Sequence, residues 1–158
     1  MPDKRRNSLS QLNKLLPVPI QLNNFEDDIE TADVLASRLS HITNVMVGEH
    51  HMVSGQVGKP YIVWSIKIIL DDSDYASIVL YKRYSELEQF RNQLLAQFPS
   101  ESKNIPPLPS KDNVNLDRLF MTNRWLEHRR RGLQWFLSNI LLNPRFQSSS
   151  IVKEFILK

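Results

Sequence analysis

The chain contains no cysteine among its 158 residues. Disulfides and thiolate chemistry are thereby excluded, and the absence is compatible with a cytosolic setting. No uninterrupted apolar stretch approaches the ~20 residues that span a bilayer, so any membrane contact is expected to be peripheral. Lys4, Arg5 and Arg6 are not followed by an apolar signal core, which argues against a secretory leader. A strong charge of one sign is also missing. Twenty Lys and Arg against seventeen Asp and Glu leave a formal +3, too little to imply nucleic acid without a concentrated basic face. There is no Gly-rich phosphate loop and no Gly-x-Ser-x-Gly elbow. His41, His50, His51 and His128 do not stand at a metal spacing, and the Asp71 to Asp74 cluster lacks the glycine and distal glutamate of a calcium loop. No residue pattern supports catalysis, a metal or a cofactor.

What is present is enough apolar residue, 41%, for a core, and a length that fits one domain with room for a tail. Residues 1–40 read as a disordered tail rich in Asn, Ser, Gln and acids, with an apolar island from Leu15 to Leu22 and a short helix over Asp33 to Leu39. From His41 to Lys158 the pattern is that of a folded domain. Ile42 to Val47 reads as a first strand. In Tyr61 to Leu70, Ile62, Trp64, Ile66, Ile68 and Leu70 alternate with a mixed face holding Ser65 and Lys67, the mark of a half-buried strand. Asp71 to Asp74 make a polar turn, and Ser77 to Lys82 return as a third strand. A helix follows at once. Ser85 and Glu88 fit a capping box, and Leu87, Phe90, Leu94 and Phe98 share one face. Pro99 closes it, residues 99–111 read as irregular, and a second long helix is expected from after Thr122 to about Leu142. Asn143-Pro144 breaks that helix, and a last short one covers Ser149 to Leu157. Three antiparallel strands followed by helices define an α+β domain.

The chemistry lies in cations. Arg83 and Tyr84 sit where strand passes into helix, and a helix amino terminus favours an anion beside it. The bland alternative makes Tyr84 a hydrophobic staple and Arg83 an exposed edge charge. Lys111 ends the proline-rich stretch Ile105-Pro106-Pro107-Leu108-Pro109. Arg129, at ~100° per residue, falls within the apolar stripe of Leu126, Leu133 and Ile140, whereas Arg131 points away from it. A cation on the buried side of a helix needs a partner, either an internal carboxylate or a pocket anion. Arg130 and Arg131 read as solvated or as facing an acidic membrane surface nonspecifically. A nucleic-acid role for Arg129 to Arg131 is a weaker reading.

Lys82-Arg83-Tyr84-Ser85-Glu86-Leu87 resembles the Arg-Tyr signature of phox-homology (PX) domains. Ile105 to Lys111 is similar to that family's aliphatic-Pro-x-x-Pro-x-Lys loop, and Arg129 falls where the family has its third basic residue. The motifs stand in the family's order, and the resemblance covers about His41 to Lys158. Lys82 and Leu87 depart mildly, standing where the family often has Arg and Phe. The resemblance implies a three-stranded sheet packed on a helical subdomain, with a basic pocket between them for a phosphoinositide headgroup. Arg83 would bind the 3-phosphate and Tyr84 would stack under the inositol ring. Lys111 would meet the 1-phosphate and Arg129 the ring hydroxyls. Phosphatidylinositol 3-phosphate is the implied ligand; a protein-interaction module with weak or no lipid binding is the alternative.

Two further segments bear on membrane and partner. Val114, Leu116, Leu119, Phe120 and Met121 follow Lys111 between polar residues, and either dip into a bilayer interface beside the pocket or pack into the helical subdomain. In the tail, Leu16, Pro17, Pro19, Ile20 and Leu22 form a proline-stiffened apolar strip that docks at low entropic cost, unless it is a linker with chance prolines. The strip resembles the Pro-x-Pro motif by which organelle adaptors bind the bridge-like lipid-transfer protein of vacuolar sorting. Together with a PX domain it implies a peripheral adaptor on the cytosolic face of endosome or vacuole.

Overall fold

The structure is a computed structural model that describes residues 41–71, 73–111 and 120–158. The tail with its Pro-x-Pro strip and the expected helix at Asp33 to Leu39 lie outside the described residues, as do Val114, Leu116 and Leu119. Three strands, β1 (Ile42–Val53), β2 (Tyr61–Leu70) and β3 (Ser73–Arg83), form one antiparallel sheet in the order β1-β2-β3. The helices are α1 (Tyr84–Gln97), α2 (Asn123–Leu141), α3 (Pro144–Gln147) and α4 (Ser150–Leu157), with a 3-10 turn at Pro99–Asn104.

The alternation in β2 is the backbone of the core. Trp64, Ile66, Ile68 and Leu70 are all buried and face the helices, while Tyr61 and Lys67 remain at least partly exposed. β1 runs on to Val53, well beyond the expected end at Val47, because a register shift between Val47 and His50 breaks the alternation there. Past that bulge, His50, His51 and Met52 still pair with Trp64, Val63 and Ile62. β3 likewise begins at Ser73 rather than Ser77. Asp71, at φ 54, makes the turn between β2 and β3, in a left-handed conformation that Asp tolerates better than most residues.

The helices cover one side of this sheet. Leu87, Phe90 and Leu94 of α1 pack with Leu133, Phe136, Leu137 and Ile140 of α2, and Phe90 stacks on Phe155 of α4 at 4.0 Å between ring centroids. Truncating one such buried Leu to Ala would cost about 2–5 kcal/mol. The outer edge of β1 is held by side chains. Gln134 accepts from Val47 N–H at 2.7 Å and donates to the Val45 carbonyl at 2.7 Å, and Gln147 donates to the Ile42 carbonyl at 2.9 Å. These bonds occupy an edge that would otherwise pair with other chains.

Several helix ends differ from the expectation. α1 starts at Tyr84 with Arg83 as its cap residue, so no linker separates strand from helix. Its capping carboxylate is Glu86, which accepts from the Arg83 N–H at 2.8 Å; the Ser85/Glu88 pairing does not form. The Arg83 side chain carries no acceptor, so only this half of a capping box exists. Residues 99–104 are a 3-10 turn rather than irregular chain. Asn143 caps the extra short helix α3 by accepting from Arg145 N–H at 3.0 Å, and Ser149 caps α4 by accepting from Val152 N–H at 3.3 Å.

Candidate functional site

Arg83 and Tyr84 are fixed by the direct passage of β3 into α1. Arg83 pairs with Val63 in the sheet while its own N–H already caps the helix. Its guanidinium reaches 5.5 Å from the ring centroid of Tyr61, the first residue of β2. Rigid elements on both sides therefore set the position of this cation.

The proline-rich stretch is pinned at each end. Ile105 is buried in the core, and Arg91 Nε donates to the Pro106 carbonyl at 2.8 Å. Farther on, the Tyr84 hydroxyl donates to the Pro109 carbonyl at 2.7 Å, and Arg129 Nη2 donates to the Ser110 carbonyl at 2.9 Å. Gly132 permits this approach, because a Cβ there would lie 2.8 Å from Pro109 Cβ and Cγ. A glycine in a helix interior costs about 0.5–1 kcal/mol relative to alanine, so close packing against the loop is its compensation. Lys111 is thereby delivered beside Tyr84, 5.4 Å from its ring centroid, and pairs with Glu88 at 2.5 Å.

Arg129 lies in the stripe that helical phase assigns it and is 6% exposed. Among the described residues, two aromatic rings and a backbone carbonyl surround it. Its guanidinium carbon sits 4.3 Å from the Tyr84 ring centroid and 4.6 Å from that of Trp125, with the bond to Ser110 as a third restraint. The next two arginines turn elsewhere. Arg130 is half-buried rather than solvated: it donates to both Glu127 oxygens at 2.8 Å and to the Val47 carbonyl at 3.1 Å. Arg131 is exposed and bonds Glu127 at 2.9 Å. Hydrogen bonds from Arg130 foremost, then Arg131, hold the Glu127 carboxyl down from its ordinary 4.5 to about 2. The three arginines thus make no common basic face.

Arg83, Tyr84, Lys111 and Arg129 line one open pocket of ≈ 340 Å³, together with Tyr61, Ile62, Trp64, Ser85, Met121 and Trp125. The pocket joins three cations to flat ring faces, a combination suited to an anion attached to a ring. Phe120 stands at 73% exposure and Met121 at 39%, so Phe120 does not pack into the helical layer. Trp125, Tyr61 and Gly132 join the site without a motif that marks them in the sequence. An aromatic four residues before Arg129 was the available signal for Trp125, and an isolated glycine inside a helical pattern was the one for Gly132. Among the described residues no group of three or more His, Cys, Asp or Glu could hold a metal ion, and no helix is long and apolar enough to cross a membrane.

A sheet of three antiparallel strands, a helical layer and a basic pocket where they meet describe the PX domain, and the PX-domain family model matches residues 73–158. The chain belongs to that family. Along nearly its whole length it is similar to the endosomal/vacuolar adapter protein YPT35 of Debaryomyces hansenii, with 53% identity over 96% of this chain and 92% of that protein. The YPT35 adapter of Meyerozyma guilliermondii is 51% identical over 96% of this chain and 97% of its own. The fold is shared with the X-ray structure of a designed CISK-PX domain, at a TM-score of 0.59 and 20% identity, covering 73% of this chain and 100% of that one.

Proposed function

We propose that residues 41–158 form a PX domain that binds a 3-phosphorylated inositol lipid, phosphatidylinositol 3-phosphate, as the membrane-reading half of a peripheral adaptor. The convergence of Arg83, Tyr84, Lys111 and Arg129 from three separate segments on one pocket carries this reading. Arg83, beside the amino terminus of α1, takes the 3-phosphate, where the helix end adds favourable partial charge. Lys111 leaves Glu88 for the 1-phosphate, Arg129 donates to ring hydroxyls, and Tyr84 supports the ring. Each charge-assisted contact contributes about 1.5–3 kcal/mol. Less the cost of ordering, the sum corresponds to roughly micromolar headgroup affinity.

Phe120, with Val114, Leu116 and Leu119 of the same segment, supplies a second, apolar contact with the bilayer, so that avidity adds to the headgroup bond. The tail, residues 1–40, recruits a bridge-like lipid-transfer protein through Leu16, Pro17, Pro19, Ile20 and Leu22. The similarity to endosomal/vacuolar adapters supports placing this work on endosomal or vacuolar membranes and their contact sites.

Flotation with liposomes of defined phosphoinositide content tests the pocket. Wild type is expected to float with phosphatidylinositol 3-phosphate and Arg83→Ala to stay behind; equal flotation would refute the pocket and favour a protein-interaction module. Retention of the partner by Pro17→Ala/Pro19→Ala in a pull-down would refute recruitment through the tail.

A further inference from the structure

Of the pocket cations, Arg129 lies near two aromatic rings, Tyr84 and Trp125, and Trp125 has no part in the binding described above. Trp125 stands in the first turn of α2, four residues and about one helical turn before Arg129. Its position is fixed by the helix start, where Thr122 Oγ1 accepts its N–H at 3.3 Å. It is half-buried and lines the pocket. With the Tyr84 ring centroid at 4.3 Å, that of Trp125 at 4.6 Å, and Nη2 tied to the Ser110 carbonyl, the guanidinium is restrained by two ring contacts and a hydrogen bond.

A guanidinium so restrained has fewer rotamers from which to meet a ligand. An inositol hydroxyl can meet its remaining N–H groups. A phosphate at the same ring position needs more room, and withdrawing to give it would cost the guanidinium its ring contacts. Rejection by a group held in place is an effective source of specificity. Resting on the lipid-binding reading above, we propose that Trp125 is a positioning residue. It acts through Arg129 to favour an inositol ring phosphorylated at position 3 alone over rings carrying a further phosphate on the side Arg129 faces. Without Trp125, Arg129 regains rotamers, and its strong pairing with phosphate makes the more highly phosphorylated rings competitive.

The test uses the full chain as wild type, Trp125→Leu and Trp125→Phe. Each is titrated with soluble short-chain phosphatidylinositol 3-phosphate, 3,4-bisphosphate and 3,5-bisphosphate, and melted to check the fold. Trp125→Leu is expected to bind the monophosphate about five- to ten-fold more weakly, the scale of one cation–π contact in a partly desolvated site. Its preference over at least one bisphosphate should shrink by a similar factor, and Trp125→Phe should restore most of both. If Trp125→Leu melts early, Trp125→Met, which keeps length and volume, carries the same expectation. Unchanged affinity and preference, or equal weakening for all three lipids, would overturn the positioning role while leaving the pocket intact. A wild type that binds none of the lipids would instead overturn the pocket itself, and this proposal with it.

Discussion

Arg129, Arg130 and Arg131 are neighbours in sequence yet belong to two different regions. On the pocket side of α2, Arg129 is buried, in contact with the rings of Tyr84 and Trp125, and lines an open cavity. On the seam side, Arg130 and Arg131 share one carboxylate, Glu127, and Arg130 also ties α2 to the edge of β1 through Val47. A step of ~100° along a helix therefore separates a cation that lines the pocket from two that share Glu127. A count of basic residues treats the three alike. Helical phase and the position of Glu127 distinguish them.

The widest gap between the two sides should appear in lipid binding. Arg129→Ala is expected to reduce flotation with phosphatidylinositol 3-phosphate liposomes by about 10- to 100-fold in apparent affinity, the loss of one contact to a charged group. Arg131→Ala, whose side chain is 75% exposed, should change it less than about three-fold. Comparable losses for both would mean that charge rather than position governs binding.

Next in size is Gly132→Ala. Alanine favours the helix by about 0.5–1 kcal/mol, but its methyl would meet Pro109 at 2.8 Å. The loop should shift and carry Ser110 and Lys111 with it, weakening headgroup binding by roughly ten-fold, as a displaced cation would. A titration showing full affinity together with a raised melting temperature would remove Gly132 from the site.

A smaller effect of opposite sign is expected at Glu88. Its exposed pair with Lys111 is worth about 0–1 kcal/mol, so Glu88→Gln should free Lys111 and strengthen headgroup binding by up to about five-fold. A weaker or unchanged affinity in calorimetry would show that Lys111 does not turn from Glu88 to the ligand.

The smallest effect belongs to the seam. Glu127 has a folded pKa of about 2, below its ordinary 4.5, so it contributes stability above pH 4.5 that is lost as pH falls toward 2. Glu127→Gln should flatten that part of an acid-unfolding curve and leave soluble-headgroup affinity as it was. An unchanged acid limb would contradict the seam pairing.

The parts of this fold legible in sequence were those where one period governs. β2 could be read from its alternation, and α1 and α2 from their apolar stripes, because burial of one face dictates them. β1 reads too short in sequence because its bulge interrupts the alternation and leaves His50 and His51 looking like loop. The cap of α1 is hidden for a related reason. A strand that enters a helix without a linker puts Tyr84 inside the first turn and makes Glu86 the partner. At the site, the order of Arg83, Tyr84, Lys111 and Arg129 was recognisable from motifs. Trp125 and Tyr61 were not, since an aromatic beside an apolar stripe reads as core. The hold of Glu88 on Lys111 is a contact across 23 residues that no local pattern reveals.

The most direct test of the central claim is calorimetric titration of wild type, Arg83→Ala and Arg131→Ala with the soluble headgroup inositol 1,3-bisphosphate, which removes bilayer charge and apolar insertion from the comparison. The expected result is roughly micromolar binding by wild type, the same by Arg131→Ala, and none measurable by Arg83→Ala. Equal binding by all three, or none by wild type, would contradict it.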